Sequence, residues 1–252
     1  MNVIFVGAGP GDPELLTLKA QKLLTQAQCC IYAGSLISPV ILQYLPTHCQ
    51  IYDSAEMSLD DILNVVKTCQ QTNTDVIRLH TGEPTIFGAI AEQMRALDEL
   101  GITYSVVPGI SSFQAAAAAV NVELTAPTIA QTVILSRVAG RTPVPDEQSL
   151  EKLAATRSTL CLFLSIQQMA KITQQLIPFY GEDCPIAVVY HASWEDQQII
   201  TSTLLNIATE VKQAKITRTA IILVGQALAK QGEASKLYDA YFSHGYRQAK
   251  NS

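Results

Sequence analysis

The first half of the chain alternates between short apolar runs and segments whose apolar residues recur with helical spacing. Short apolar runs bounded by turn residues predict buried strands, and the helical spacing predicts amphipathic helices. The predicted strands cover residues 3–6, 29–33, 75–79 and 104–107, and the predicted helices cover residues 17–27, 59–71 and 88–100. Ser58 and Asp61 resemble a capping box at the start of the second of these helices. The alternation favours a mostly parallel sheet with helices on its faces.

The second half has fewer helical segments between its apolar runs. An Ala-rich helix is predicted at residues 111–120, and the turn signals of residues 121–130 place a domain boundary after residue 120. Predicted strands then cover residues 132–136, 159–164, 186–190, 198–202 and 220–224, and predicted helices cover residues 149–155, 166–177 and 204–213. Two successive strands around residues 194–197 predict a hairpin and therefore a mixed sheet. We expect an α/β protein with two α/β domains, residues 1–120 and residues 121–252.

Composition narrows the class of protein. The chain has 252 residues, of which 48% are hydrophobic and only 15% are charged, which suits a well-buried core. A net charge of −5 without a Lys/Arg block argues against a nucleic-acid partner. No stretch approaches the roughly 20 apolar residues that a membrane-spanning helix needs, and the first residues lack the basic region of a signal peptide. We therefore expect a cytoplasmic protein that does not contact a membrane.

The six cysteines and four histidines show no metal-ligand spacing. The cysteines are scattered without a C-x-x-C pair, and the histidines form no H-x-x-x-H pair. We expect the cysteines to be small core residues in a reducing compartment, and we expect no metal site.

The first predicted strand enters a glycine-dense turn, residues 7–12, which we call the first turn. Asp12 followed by Pro13 is a strong helix-start signal. The turn resembles the G-x-G-x-x-G fingerprint of dinucleotide-binding proteins, but Asp12 stands where the third glycine falls. An NAD-dependent dehydrogenase is therefore an alternative that Asp12 argues against, as does the lack of an acidic residue at the second strand.

Two further turns follow predicted strands: the second turn, residues 81–88, and the third turn, residues 108–112. Ligands of open α/β sheets bind outside the carboxyl ends of the strands. Three such turns at one edge predict a single ligand cleft. A scaffolding role is the alternative, and it would leave all three turns unexplained.

The residues of these turns resemble the tetrapyrrole (corrin/porphyrin) methyltransferases. The similar segments are residues 6–12, 78–84 and 107–112, in the same order along the chain. Within that family, residues 32–36, 79–82, 112–117 and 131–137 are similar to the branch that methylates precorrin-4, and residues 190–194 also fit it.

The resemblance implies a two-domain enzyme, usually a homodimer, that holds S-adenosylmethionine in a cleft between its domains. It implies methylation of precorrin-4 or cobalt-precorrin-4 at carbon 11 of the macrocycle, in cobalamin biosynthesis. The alternative within the family is methylation of uroporphyrinogen-III, precorrin-2 or precorrin-3. More distant relatives modify ribosomal RNA or diphthamide, and the lack of a basic stripe disfavours the RNA substrate.

The resemblance also implies a set of cofactor-binding residues but no catalytic side chain, because in-line methyl transfer depends on positioning and exclusion of water. The cofactor-binding positions are Pro10, Thr81, Gly82, Glu83, Ile86, Ser111, Ser112, Leu164, Ala192 and Ala220. The family usually has Gly-Asp-Pro where this chain has Gly82-Glu83-Pro84, so the longer arm of Glu83 leaves its contact with the cofactor open. Interaction with a helix dipole is the alternative role for Glu83.

A tetrapyrrole with many carboxylates needs cationic partners, and arginine binds carboxylates bidentately. The candidate substrate-binding residues are Arg78, His80, Arg137 and Arg141, with Arg218 as a further candidate. Arg137 and Arg141 lie at the start of a Pro-rich loop, residues 140–146, that could close over the substrate. Trp194 is the only tryptophan, and it is a candidate either for facing the macrocycle or for packing.

Overall fold

The computed structural model describes residues 1–140, 142–229, 241–243 and 245–248, and these form two compact units. The first unit contains residues 1–116 and 191–198, and the second contains residues 117–190 and the described residues from 199 onward. A domain is a unit that could fold by itself, and compactness alone does not establish this. The two domains expected from the sequence, residues 1–120 and 121–252, therefore stay a prediction.

The first unit contains a five-stranded sheet. Its strands are β1 (Asn2–Gly7), β2 (Cys29–Tyr32), β3 (Gln50–Asp53), β4 (Val76–His80) and β5 (Thr103–Val107). Its helices are α1 (Leu18–Thr25), α2 (Pro39–Leu42), α3 (Leu59–Gln71), α4 (Ala91–Glu99) and the larger part of α5 (Ser112–Ala119), which begins in the first unit and ends in the second. The strand order is β3-β2-β4-β1-β5, and every pairing is parallel. The predicted parallel sheet is confirmed.

The central strands are buried on both faces, as parallel strands covered by helices are. All five residues of β4 are buried, and so are the last five residues of β1. Successive side chains point to opposite faces, so Val6 packs with Leu24 of α1, whereas Phe5 packs with Val66 of α3.

Two local features of this unit differ from the prediction. Strand β3 was not predicted, because it is a mostly exposed edge strand in which Ile51 is 47% exposed, and it therefore lacks an apolar run. Helix α4 begins at Ala91 rather than near residue 88, because Phe87 and Ala89 have φ values of 55° and 50° that a helix does not allow. The predicted capping box is confirmed by reciprocal hydrogen bonds between Ser58 and Asp61.

The second unit contains a mixed five-stranded sheet. Its strands are β6 (Val133–Arg137), β7 (Thr159–Phe163), β8 (Pro185–Tyr190), β9 (Gln198–Thr203) and β10 (Ala220–Val224), and its helices are α6 (Leu150–Ala154), α7 (Met169–Tyr180) and α8 (Ile207–Gln213). The order is β6-β7-β10-β8-β9. Strand β6 is parallel to β7, whereas β10 is antiparallel to β7 and β8. The predicted mixed sheet is confirmed, and the consecutive strands β8 and β9 are neighbours.

The six cysteines carry free thiols, and all but Cys49 are buried. Burial raises the pKa of Cys30 and of Cys161 to about 12, and that of Cys184 to about 11. A thiol that does not ionise near neutral pH is a poor nucleophile and a poor metal ligand, so these residues act as core side chains.

The described residues contain neither a membrane-spanning helix nor a cluster of metal-binding side chains. None of the helices there is both long enough and apolar enough to cross a bilayer. In the same part of the chain, no three His, Cys, Asp or Glu side chains come together as a metal site would require.

Candidate active site

The three glycine-containing turns meet at one edge of the first unit's sheet. Strands β4, β1 and β5 are adjacent and parallel, so their carboxyl ends lie side by side. The Ala8 amide donates to the His80 carbonyl at 2.7 Å. Gly9 and Gly82 exchange backbone hydrogen bonds of 3.3 and 2.8 Å. The sequence-based prediction that the turns converge is therefore confirmed.

Glycine is required here because the turns pack backbone against backbone. A Cβ atom at Gly7 would lie 2.6 Å from the Gly109 nitrogen, and one at Gly109 would lie 2.2 Å from the Gly82 carbonyl oxygen. Side chains do not approach backbone atoms this closely, so the first, second and third turns are in mutual contact only because each has a glycine.

The Glu83 carboxylate joins the second turn to the third. One oxygen accepts hydrogen bonds from the Thr85 amide at 2.9 Å and the Thr85 hydroxyl at 2.6 Å, and the other accepts from the Gly109 amide at 2.8 Å. Burial opposes ionisation of Glu83, but these hydrogen bonds outweigh it and lower the pKa. Residues 84–87 form turns rather than a helix, so no helix dipole begins at Glu83.

Ser111 and Ser112 place the start of α5 beside the second turn. A Cβ atom at Gly82 would lie 3.7 Å from the Ser111 Cα and from the Ser112 nitrogen, which is ordinary contact distance. Ser111 is buried, and its amide donates to the Gln114 side-chain carbonyl at 2.9 Å. Ser111 and Ser112 therefore lie next to Gly82, which is also a predicted cofactor residue.

The segment 191–198 packs against the first turn. The Trp194 indole N–H donates to the Pro10 carbonyl at 2.8 Å, and the Asp12 amide donates to the Ser193 hydroxyl at 3.0 Å. Ala192, next to Ser193, is 6% exposed. The structure thus brings the predicted residues Pro10 and Ala192 to one region of the first unit, and it gives Trp194 a packing role.

Asp12 caps a helical turn, as its sequence position predicts. Its carboxylate accepts from the Glu14 amide at 2.8 Å, and Pro13 begins the turn. The turn is a single 3₁₀ turn, Pro13–Leu15, and α1 begins separately at Leu18 with Thr17 as its cap.

A cavity of about 280 Å³ opens beside the second turn, and Arg78, His80, Thr81, Ile86 and Phe87 are among its lining residues. Arg78 is 6% exposed and donates to the Gln93 side-chain oxygen at 3.1 Å and to the Ile31 carbonyl at 3.2 Å. Within the described residues, no carboxylate forms an ion pair with Arg78.

His80 is the other buried polar residue of this cavity. It is 4% exposed, and within the described part of the chain its Nε2 atom has no hydrogen-bond partner. Burial, together with the charge on Arg78, lowers the pKa of His80 to about 3. At neutral pH the cavity therefore contains the positive charge of Arg78 and the neutral imidazole of His80. The exposed acidic residue Glu92 also lines it, and among the described residues it forms no ion pair with Arg78.

The second unit contains two more of the predicted cofactor residues. Leu164 follows β7 with a φ of 53°, which non-glycine residues rarely adopt, and its side chain is 74% exposed. The adjacent Ser165 is fully buried, accepts from the Val138 amide at 2.8 Å and donates to the Phe163 carbonyl at 2.6 Å. Ala220 is half-buried at the start of β10.

The basic substrate-binding candidates of the second unit differ in setting. Arg137 donates to the Thr142 carbonyl at 3.2 Å and to the Pro143 carbonyl at 2.6 Å, so its guanidinium holds the Pro-rich loop. Arg218 is exposed, and Arg141 lies outside the described residues. The binding roles of these arginines, and of the cofactor positions above, stay predictions.

Sequence reasoning missed two contacts at this edge of the sheet. Neither the Gly109–Glu83 hydrogen bond nor the Gly11–Trp194 contact was expected; a Cβ atom at Gly11 would lie 2.1 Å from the indole ring. The signal for these contacts in the sequence was the presence of Gly11 and Gly109. At both positions a neighbouring part of the protein, and not a ligand, leaves no room for a side chain.

The chain thus combines a parallel first sheet, a mixed second sheet and an edge at which three turns meet backbone to backbone, which is an α/β architecture. The model of the family Tetrapyrrole (Corrin/Porphyrin) Methylases matches residues 2–208. The chain therefore belongs to the tetrapyrrole methylases, and it is a methyltransferase.

Individual relatives are similar over nearly their whole length. The chain is 47% identical to the cobalt-precorrin-4 C(11)-methyltransferase of Methanocaldococcus jannaschii, over 98% of this chain and 96% of the relative. It is 45% identical to the precorrin-4 C(11)-methyltransferase of Pseudomonas aeruginosa, over 98% and 99%. A solved cobalt-precorrin-4 methyltransferase, described as a cobalamin biosynthetic enzyme, superposes with a TM-score of 0.88 at 39% identity, covering 90% of this chain and 95% of that one. The resemblance seen in the sequence is confirmed.

Proposed function

We propose that this chain transfers a methyl group from S-adenosylmethionine to carbon 11 of precorrin-4 or cobalt-precorrin-4, as a step of cobalamin biosynthesis. The names of relatives that match over 98% of the chain support this substrate. The structural observation that carries the proposal is the meeting of the three turns at the carboxyl edge of β4, β1 and β5. We further propose a cytoplasmic homodimer, for which family resemblance is the support.

The residues at this edge fit S-adenosylmethionine better than they fit a dinucleotide. Dinucleotide sites hold a pyrophosphate at the N-terminus of an α-helix, whereas the first turn here leads only into the single 3₁₀ turn Pro13–Leu15 and contains no lysine or arginine, nor does the second turn. The two turns contain two acids instead, Asp12 and Glu83, and the lowered pKa of Glu83 keeps its carboxylate ionised at neutral pH. Negative charge near a bound sulfonium is favourable, whereas near a pyrophosphate it is not.

When bound, S-adenosylmethionine supplies a methyl group on a positively charged sulfur. The chain's own contribution is to hold the two reactants in line and to exclude water, which accelerates such a transfer without a nucleophilic side chain. Turns fixed by backbone contacts suit this task because they present rigid N–H and C=O groups. Pro10, Thr81, Gly82 and Ser112 are the residues that we expect to line the cofactor.

Arg78 and His80 support binding of a tetrapyrrole carboxylate in the cavity beside the second turn. A buried arginine without a carboxylate costs desolvation energy that an anionic ligand would offset. The His80 Nε2 atom, without a partner among the described residues, is available to the same ligand. We propose that an acetate or propionate side chain of the macrocycle enters this cavity and accepts hydrogen bonds from both residues.

The first experiment tests cofactor and substrate together. Calorimetry should show binding of S-adenosylhomocysteine and none of NAD. Incubation with S-adenosylmethionine and either precorrin-4 or cobalt-precorrin-4 should add one methyl mass, which NMR should place at carbon 11. If the protein methylates uroporphyrinogen-III, precorrin-2 or precorrin-3 in preference to precorrin-4 and cobalt-precorrin-4, the proposed substrate is wrong. If it binds NAD and not S-adenosylhomocysteine, the proposed class of reaction is wrong.

The second experiment tests the carboxylate subsite. Arg78→Met keeps the length and apolar volume of the side chain but removes its charge, so precorrin-4 should bind at least tenfold more weakly, in line with the ~1.5–3 kcal/mol of a charged hydrogen bond. The affinity for S-adenosylhomocysteine should stay unchanged. Arg95→Met, on the exposed face of α4, is the matched control and should change neither. Equal loss of both affinities in Arg78→Met would mean that Arg78 only supports the fold.

A further inference from the structure

We propose that Trp194 is a positioning residue for the first turn. Together with Ser193 it forms a clasp that holds the turn in the conformation that binds the cofactor. The inference rests on the proposed function, because it assumes that Pro10 of the first turn lies at the S-adenosylmethionine site.

The clasp fixes three consecutive residues of the first turn. The Trp194 indole donates to the Pro10 carbonyl at 2.8 Å, the indole ring covers Gly11, and the Ser193 hydroxyl accepts from the Asp12 amide at 3.0 Å. A Cβ atom at Gly11 would lie 2.1 Å from Cδ1 and from Nε1 of Trp194, so the ring rests directly on the backbone.

The first turn needs an external support because of its own sequence. Gly9, before Pro10, is held by the backbone hydrogen bonds that it exchanges with Gly82, whereas Gly11, after Pro10, has a φ of 154° and is the glycine that the indole ring covers. Glycine has more accessible backbone conformations than any other residue. Without the clasp, the Pro10 carbonyl would be free to turn away from its present direction.

The segment that contains Trp194 is itself held in place. The His191 ring stacks on the indole at a centroid distance of 4.4 Å, and its Nδ1 atom contacts the Asp196 carboxylate at 2.8 Å. The Ser193 amide donates to the Gln197 side-chain oxygen at 2.8 Å. These contacts hold the indole against the first turn.

The backbone of this segment is left-handed at two positions. His191 and Ser193 have φ values of 46° and 72°, in the region that non-glycine residues rarely adopt. Such conformations persist where the surrounding contacts enforce them, as the contacts of the two side chains do here. Ala192, a predicted cofactor residue, lies between these two residues.

The expected effect of losing the clasp follows from conformational selection. The apparent Kd of a ligand is its intrinsic Kd divided by the fraction of protein in the binding-competent conformation. If the first turn keeps that conformation for about one fifth of the time, the Kd for S-adenosylhomocysteine rises about fivefold. The affinity for the tetrapyrrole, whose proposed subsite is at Arg78, does not change.

The test compares three full-length variants with the wild type. Trp194→Phe keeps an aromatic ring over Gly11 but removes the N–H donor, and Ser193→Ala removes the acceptor for the Asp12 amide. Glu195→Gln, an exposed position of the same segment, is the matched control. Calorimetry with S-adenosylhomocysteine should give a Kd raised about fivefold in Trp194→Phe, raised by a smaller factor in Ser193→Ala, and unchanged in Glu195→Gln.

Hydrogen exchange gives a readout that does not depend on ligand binding. The amide of Asp12, in a peptide that covers the first turn, should exchange faster in Trp194→Phe and Ser193→Ala and at the wild-type rate in Glu195→Gln. Unchanged exchange and unchanged Kd in both clasp variants would overturn the inference. Equal weakening of S-adenosylhomocysteine and precorrin-4 binding would also overturn it, because a positioning role affects only the first ligand.

The same data separate this inference from the proposed function. If the wild type fails to bind S-adenosylhomocysteine, the proposed function is wrong, while the exchange rates still decide whether the clasp orders the turn. If Trp194→Phe does not fold, Ser193→Ala carries the comparison alone.

Discussion

Glu83→Ala tests whether the second and third turns are held together by one carboxylate. The substitution removes the acceptor of the Thr85 amide, the Thr85 hydroxyl and the Gly109 amide. Thr85 is exposed and can bond to water instead, whereas the Gly109 bond is partly buried. Hydrogen bonds to a charged group contribute about 1.5–3 kcal/mol when buried and less when water replaces them. We therefore expect a loss of about 2–3 kcal/mol, of which the Gly109 bond contributes the larger part.

Two milder variants divide this loss. Glu83→Gln keeps oxygen for one bond but loses the charge, and should cost about 1 kcal/mol. Glu83→Asp is one methylene shorter, so it can reach Thr85 or Gly109 but not both, and should cost about 1–1.5 kcal/mol. If the Glu83 carboxylate joins the two turns, Glu83→Ala should lose more unfolding free energy than either Glu83→Asp or Glu83→Gln.

The effect should also depend on pH in a defined direction. The pKa of Glu83 is lowered in the folded protein, so its contribution is fully present above the unfolded pKa of about 4.3 and is lost as the pH falls through the folded value. The difference in stability between wild type and Glu83→Ala should thus be constant from neutral pH down to about pH 5 and shrink below about pH 4.

Thermal unfolding at several pH values provides the assay. For a protein of this size a change of 1 kcal/mol shifts Tm by about 2–4 °C, so a loss of about 2–3 kcal/mol should make Glu83→Ala unfold about 4–12 °C below wild type at pH 7. A Tm within 1 °C of wild type at pH 7, or a difference that stays the same at pH 3.5, would refute the reasoning.

Two further predictions test the glycine packing and the second unit. Gly109→Ala should lower Tm by more than ~10 °C, since its Cβ would lie 2.2 Å from the Gly82 carbonyl oxygen; Gly140→Ala, whose Cβ meets only the Gln168 side chain at 3.4 Å, is the control and should shift Tm by less than ~3 °C. Leu164→Ala should leave Tm unchanged, because the side chain is 74% exposed, but should weaken S-adenosylhomocysteine binding several-fold, whereas Leu18→Ala, at 76% exposure on α1, should change neither. Wild-type affinity in Leu164→Ala would remove Leu164 from the cofactor site.

The sequence predicts those strands and helices whose burial leaves a local pattern of apolar residues. Strand β4 is buried at every position and appears as an apolar run despite Arg78 and His80, and α3 has both an apolar face and a capping box. Strand β3 is an edge strand whose residues are mostly exposed, so no local pattern marks it. Its place in the sheet is set by pairing with β2, which is a tertiary property.

The candidate site likewise has a part that the sequence predicts and a part that it does not. Convergence of the three turns follows from parallel strands alone, and it was predictable once the strands were. The contact of Trp194 with Pro10 joins residues 184 positions apart, and the segment that makes it shows neither helical nor strand periodicity. The Glu83–Gly109 bond is likewise set by the distance between two turns, which the sequence of neither turn specifies.

The glycines of the first turn illustrate how a motif can be right about position and wrong about ligand. Gly7 is required by Gly109 and Gly82, and Gly11 is required by Trp194, so both glycines meet protein atoms rather than a phosphate. A glycine-rich turn therefore indicates that other atoms lie close to the backbone at the edge of a sheet, but it does not show whether those atoms belong to a ligand or to the protein. The class of ligand has to be argued from charge instead, and here the first and second turns contribute carboxylates and no basic residue. Two carboxylates at this edge favour a cationic ligand over a pyrophosphate, and this is the argument on which the proposed sulfonium site rests.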